Sequence, residues 1–208
     1  MRWLIIDVSS APLPDAALYL EGAKAPKNYV DPEKIADFVA KATEERLESA
    51  ALDLDLARIT GIGTLTSEDS APNVHVGGDA IDERAMLAHA AIMLSKADKI
   101  ITYAGHNFDL PMMMRRALYL DMAFPQINLD RYRSPHTDLC ELLSDRNPAR
   151  RRSLKFFAKR LGWMDIHKTL DGAEEAQVPV TGRWEDLEAS LRHDVMATHR
   201  LAQWVKAI

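Results

Sequence analysis

The sequence predicts an α/β domain with a small mixed sheet, or the closely related α+β arrangement. Three observations carry this prediction. The first is a short, wholly apolar opening segment, Trp3-Leu4-Ile5-Ile6, read as a buried strand. The second is the order of elements: strand, long insertion, two strands, helix, strand, helix, then mostly helices. The third is composition. With 208 residues, 47% hydrophobic and 27% charged, the chain can bury a sizeable core without staples and is not globally disordered. A single domain over 1–208 is expected, carrying a loop-helix insertion at about 11–57.

Taken in order, residues 3–9 form the first strand, ended by Ser9, Ser10 and two prolines. Asp31-Pro32-Glu33 opens a helix, with Asp31 as N-cap and proline at the first helical position. Strands follow at 58–66 and 74–76, then a helix from about Asp82 to Lys96 and a strand at 99–103. Gly105 breaks that strand, and Asp109-Leu110-Pro111 starts a helix through Leu120. Short helices are expected at 137–144 and 153–161, loop from Gly172 to Gly182, and a last helix over 185–206. Met112-Met113-Met114, Phe156, Phe157 and Cys140 read as core.

Charge and cysteine count exclude several classes. A net charge of -5 argues against a strongly basic nucleic-acid coat. The lone Cys140 excludes an internal disulfide framework and any multi-cysteine zinc site. No apolar run reaches membrane-spanning length, so no membrane partner is expected. The opening run Met1-Arg2-Trp3-Leu4-Ile5-Ile6-Asp7 meets a charge at Asp7 too early for a secretory leader, and a cytoplasmic location is expected.

Three carboxylates stand where carboxylates are costly. Asp7 shares a strand face with Trp3, Ile5 and Ser9, and Asp194 falls within the apolar stripe of the last helix marked by Leu187, Leu191, Thr198 and Leu201. Asp109 lies at a strand-to-helix turn. Each has an ordinary reading: a backbone hydrogen bond for Asp7, an N-cap for Asp109, an arginine ion pair for Asp194. Together they read as an oxygen-donor site for Mg²⁺ or Mn²⁺, since like charges held close raise one another's pKa unless a cation intervenes. Two such ions about 3.5–4 Å apart support phosphoryl transfer.

Three motifs carry a family resemblance: Ile6-Asp7-Val8-Ser9-Ser10-Ala11-Pro12, then Thr102-Tyr103-Ala104-Gly105-His106-Asn107-Phe108-Asp109-Leu110-Pro111, then Ser190-Leu191-Arg192-His193-Asp194-Val195. In order and spacing the chain resembles the DEDD 3′–5′ exonucleases, and most of all the stand-alone relatives of the family-B DNA polymerase proofreading domain. The resemblance implies a ribonuclease-H-like fold, with a mixed central sheet flanked by helices. It implies hydrolysis of single-stranded DNA, or another nucleic acid, from its 3′ end by two divalent ions held by Asp7, Asp109 and Asp194. His106, Asn107 and Phe108 would line the nucleic-acid path. The basic stretch containing Arg150, Arg151 and Arg152 would contact phosphates or simply solvate a helix face.

The chain departs from the family pattern at three positions. Ser9 stands for the motif-one glutamate, Ala104 for the motif-two asparagine and Ser190 for the motif-three tyrosine. Weak or lost hydrolysis is therefore expected. The alternative is a non-catalytic pseudo-exonuclease serving as a nucleic-acid-binding or protein-interaction module. Asp15, Glu21 or a loop histidine, His75 or His106, are conceivable replacements for the missing groups.

Overall fold

The computed structural model describes residues 1–20, 22–163 and 169–208. Glu21 therefore lies outside the described residues. Among those residues the elements are β1 (Trp3–Pro12), α1 (Ala16–Tyr19), α2 (Pro32–Glu48), β2 (Ala57–Thr66), β3 (Asn73–Val76), α3 (Ala80–Lys96), β4 (Lys99–Thr102), α4 (Asp109–Tyr119), β5 (His136–Asp138), α5 (Leu139–Leu143), α6 (Leu154–Arg160), α7 (Gly172–Ala176), α8 (Val178–Thr181) and α9 (Trp184–Trp204).

The strands form one mixed sheet in the order β3-β2-β1-β4-β5. β1 pairs antiparallel with β2 and parallel with β4, and β4 continues parallel to β5. Period-2 alternation sends the two faces of β1 into different cores. Leu4, Ile6 and Val8 pack with Ile59, Ile62 and Leu87 on the side of α3 and α4. Ile5 packs with Leu65, Ile101, Val195 and Leu201 on the side of α9. Asp7 and Ser9 share the face of Ile5, so they point toward α9. The register shifts between Ser9 and Ser10, where Ser9 faces Gly61 but Ser10 faces Ile59. That bulge keeps Ile59 and Ile62 on one face although they are three residues apart.

The final helix needs an unusually close seat. A Cβ on Gly63 would lie 2.8 Å from Val195 Cγ2 and 3.6 Å from the Leu191 carbonyl, and one on Gly61 would overlap the Leu191 side chain. Two glycines on one face of β2 thus let the α9 backbone settle onto the sheet. Gly63 is the cross-strand partner of Asp7. The Leu191–Val195 turn, with Asp194 within it, therefore lies over the part of the sheet that carries Asp7.

Several expectations need correction. β1 does not stop at Ser9 but runs to Pro12. Beyond Ile5 its β4 side carries no ladder pairing, so Pro12 costs no hydrogen bond on that edge. Between β1 and β2, residues 13–56 hold the short α1, which lies in a stretch read as loop, and then α2. The helix expected at 137–144 is split: His136–Asp138 is a strand, and Asp138 then caps α5 by accepting from the Cys140 and Glu141 amides. The expected loop at 172–182 is two short helices. Its start was legible as a capping box, Asp171-Gly172-Ala173-Glu174, whose two reciprocal bonds are both formed. Phe156 is exposed rather than core, and only Phe157 packs inward. Met112, Met113 and Cys140 are buried as expected.

Candidate active site

The turn after β4 sets the site. Ala104 has φ 64°, a left-handed conformation unfavourable for a residue with a Cβ. It is held there by Asp138, whose carboxylate accepts from the Ala104 amide at 3.0 Å and the His106 amide at 3.0 Å, besides capping α5. One buried side chain from β5 thus pins the entire turn, a role that no local sequence signal reveals. The strain predicts that Ala104→Gly stabilises the protein by about 0.5–1 kcal/mol. A rise of roughly 1–4 °C in the thermal midpoint would register it, and a fall would refute it.

Gly105 permits the next step of the chain. A Cβ there would lie 2.5 Å from Asp109 Oδ2 and 2.6 Å from Thr102 Cβ. The Asp109 carboxyl therefore folds back over the end of β4. Asp109 is the first residue of α4 rather than its cap, and no side chain caps that helix, which overturns the N-cap reading. It is 5% exposed, and its Oδ2 is buried with no hydrogen-bond partner among the described residues. Burial first, then the carboxylates of Asp138 and Asp194, hold it well above the ordinary carboxylate range.

Asp7, Asp109 and Asp194 thus come from β1, the start of α4 and the final helix α9, which lies over the sheet. Asp7 and Asp194 are half-buried. The donor chemistry fits a hard divalent cation: oxygen ligands only, a surplus of negative charge, and one orphaned buried carboxylate oxygen. As they stand, the described residues contain no group of three or more His, Cys, Asp or Glu side chains closed around a metal position.

The three departures from the family pattern are informative. Ser9 and Ser190, 3% and 0% exposed, both bond to Glu175 of α7: Ser9 Oγ donates to Oε2 at 2.9 Å and Ser190 Oγ to Oε1 at 2.8 Å. Sequence reasoning missed Glu175 because the segment was read as loop. Asp15 is not the replacement, since its exposed carboxylate accepts from the Tyr19 hydroxyl at 2.9 Å. Nor is His75, which faces Ile62 across the ladder and packs on His89 of α3, on the opposite side of the sheet from Asp7.

Beside the site lies a cleft of about 520 Å³, lined by His106, Arg131, His136, Asp138, Glu141 and Arg146 among others. His106 and His136 stack at 5.9 Å with rings 6° from parallel, and Arg131 Nε donates to His106 Nε2 at 3.3 Å. Burial pushes His136 down to about 4. Asn107 is exposed, whereas Phe108 packs against the α4-side core. Within the basic stretch, Arg150 pairs with Asp145 at 2.9 Å and Arg151 lies 3.4 Å from Glu141, while Arg152 is exposed beside the Phe156 ring. The Tyr103 hydroxyl donates to the Arg152 carbonyl, tying this stretch to the turn after β4.

Residues 47–206 match a family model, RNase_H_2, described as RNase_H superfamily. Among solved structures, the family B DNA polymerase from the hyperthermophilic archaeon Pyrobaculum calidifontis superposes with a TM-score of 0.64 at 16% identity. The similarity covers 99% of this chain and 24% of that polymerase, so the chain spans about a quarter of the protein it resembles. No curated protein matches the chain.

Proposed function

The chain belongs to the RNase H superfamily, and on that footing we propose that it binds the 3′ end of single-stranded DNA and hydrolyses it weakly with Mg²⁺ or Mn²⁺. The observation that supports the proposal is the buried Asp109 carboxyl, whose Oδ2 has no partner among the described residues and which feels the Asp194 carboxylate, with α9 seated over the stretch of β1 that bears Asp7. Asp7, Asp109 and Asp194 would hold the metal. Bound there, divalent ions would activate water and stabilise the leaving oxygen. His106, Asn107 and the exposed Arg152 supply polar and cationic groups beside the acids for the nucleic-acid strand. Ser190 places a short hydroxyl, bonded to Glu175, where the family pattern has the tyrosine that orients water. Losing that orientation is expected to slow hydrolysis by about 10²–10⁴-fold.

A second reading, a non-catalytic nucleic-acid-binding module, is favoured by one observation: the described acids do not close around a metal position. One experiment separates the two. The full chain is incubated with 3′-labelled single-stranded DNA in Mg²⁺ and in Mn²⁺, beside Asp7→Ala. Slow nucleotide release that Asp7→Ala lacks is the expected result. Binding without release selects the second reading, and neither binding nor release overturns both.

A further inference from the structure

We propose that Glu175 is the fourth carboxylate of the acidic site, supplied by α7 in place of the glutamate absent from β1; this rests on the metal-dependent reading above. Ser9 is two residues beyond Asp7 on the same strand face, and Ser190 is one turn before Asp194 on the same helix side. A single carboxylate that accepts from both hydroxyls, one on each oxygen, therefore stands between the strand that carries Asp7 and the helix that carries Asp194. Ser9 and Ser190 are both almost fully buried, so their hydroxyls form a built seat for Glu175.

The seat is rigid. α7 begins with a complete capping box and packs against β1. The segment is anchored on either side by Leu170 and Val178, both buried against Leu187 and Leu191 of α9. The two serines also explain each other. Removing a glutamate from β1 and a tyrosine from α9 vacates adjoining space, and a glutamate entering from a third element occupies it. The orphaned Oδ2 of Asp109 is the independent sign that the neighbourhood is built for a cation. With Glu175 counted, the site holds three aspartates and one glutamate, a set suited to a hard divalent ion.

The test is binding of Mn²⁺ alone to the full chain, followed by loss of the free-ion electron paramagnetic resonance signal. Wild type is compared with Glu175→Gln, Asp7→Asn and the double variant Glu175→Gln, Ser9→Glu. Glu175→Gln is expected to weaken Mn²⁺ binding by about tenfold or more, and Ser9→Glu to restore it. Wild-type affinity in Glu175→Gln, with affinity lost in Asp7→Asn, would overturn the role of Glu175 and leave the three-aspartate site standing. Equal binding by wild type and Asp7→Asn, or none by wild type, would overturn the metal site and this proposal with it. Should Glu175→Gln not fold, Ser9→Ala with Ser190→Ala releases the carboxylate without removing it; unchanged Mn²⁺ affinity would then refute the proposal.

Discussion

Arg116→Met is expected to destabilise the protein by about 3–5 kcal/mol, because it leaves the Glu83 carboxylate buried without its counter-ion. Arg116 and Glu83 are 7% and 2% exposed at their side chains. Their bond is bidentate, Nε to Oε1 at 2.7 Å and an Nη to Oε2 at 2.9 Å, and Glu83 also accepts from the Ile59 amide at 2.8 Å. The pair therefore joins α3, α4 and the bulged stretch of β2, the framework beneath the Asp109 turn. The double variant Glu83→Gln, Arg116→Met keeps an acceptor for the Ile59 amide and buries no charge, so it should recover much of the loss. Urea unfolding of the double-mutant cycle measures this. Additive losses in the two single variants would show that the pair is not acting as a buried ion pair.

Acidification should destabilise the protein through His136. Its pKa in the folded state is pushed down to about 4, first by burial and further by His106, against the opposing pull of the Asp138 carboxylate. In the unfolded chain it returns to about 6.5. Above that value both states are neutral there and His136 contributes no pH dependence. Between about 6.5 and 4 the unfolded chain binds a proton that the folded protein refuses, so stability falls as pH falls, by up to about 3 kcal/mol. His136 Nε2 lies 2.8 Å from Thr102 Oγ1, a bond that Gln can partly replace. The thermal midpoint of His136→Gln should therefore decline less steeply than wild type from pH 7 to 4.5. Parallel curves would refute the assignment.

Much of the frame was legible along the chain. β2, β3, β4 and α3 lie within a few residues of their expected positions because their signals are local: apolar runs, a break at Gly105, polar caps. Asp31 caps α2 and Ser153 caps α6 for the same reason. The misses have a common cause. β5 has three residues and is a strand only because β4 lies beside it. β1 reaches Pro12 only because β2 supplies a partner as far as Ala57. α7 is five residues long and lies within the stretch bounded by glycines at 172 and 182, so it has too little apolar periodicity to read as a helix. The site shows the same division. Asp7, Asp109 and Asp194 stood out as carboxylates in apolar patterns, whereas Asp138 and Glu175 lie in segments whose polarity looks ordinary.

The sequence by itself indicated the superfamily-level fold, the order of most of its elements and three candidate aspartates, because strand alternation, helix periodicity and capping are short-range properties. It also showed that β1 and α9 each carry a serine where the family pattern has a larger functional group. Only the tertiary structure decided what those serines do. Ser9 and Glu175 are 166 residues apart, and Ser190 and Glu175 are 15 apart on different helices. No periodicity links such positions. They meet because Gly61 and Gly63 let α9 rest on the sheet, and because a capped turn of helix carries a carboxylate into the space between two buried hydroxyls.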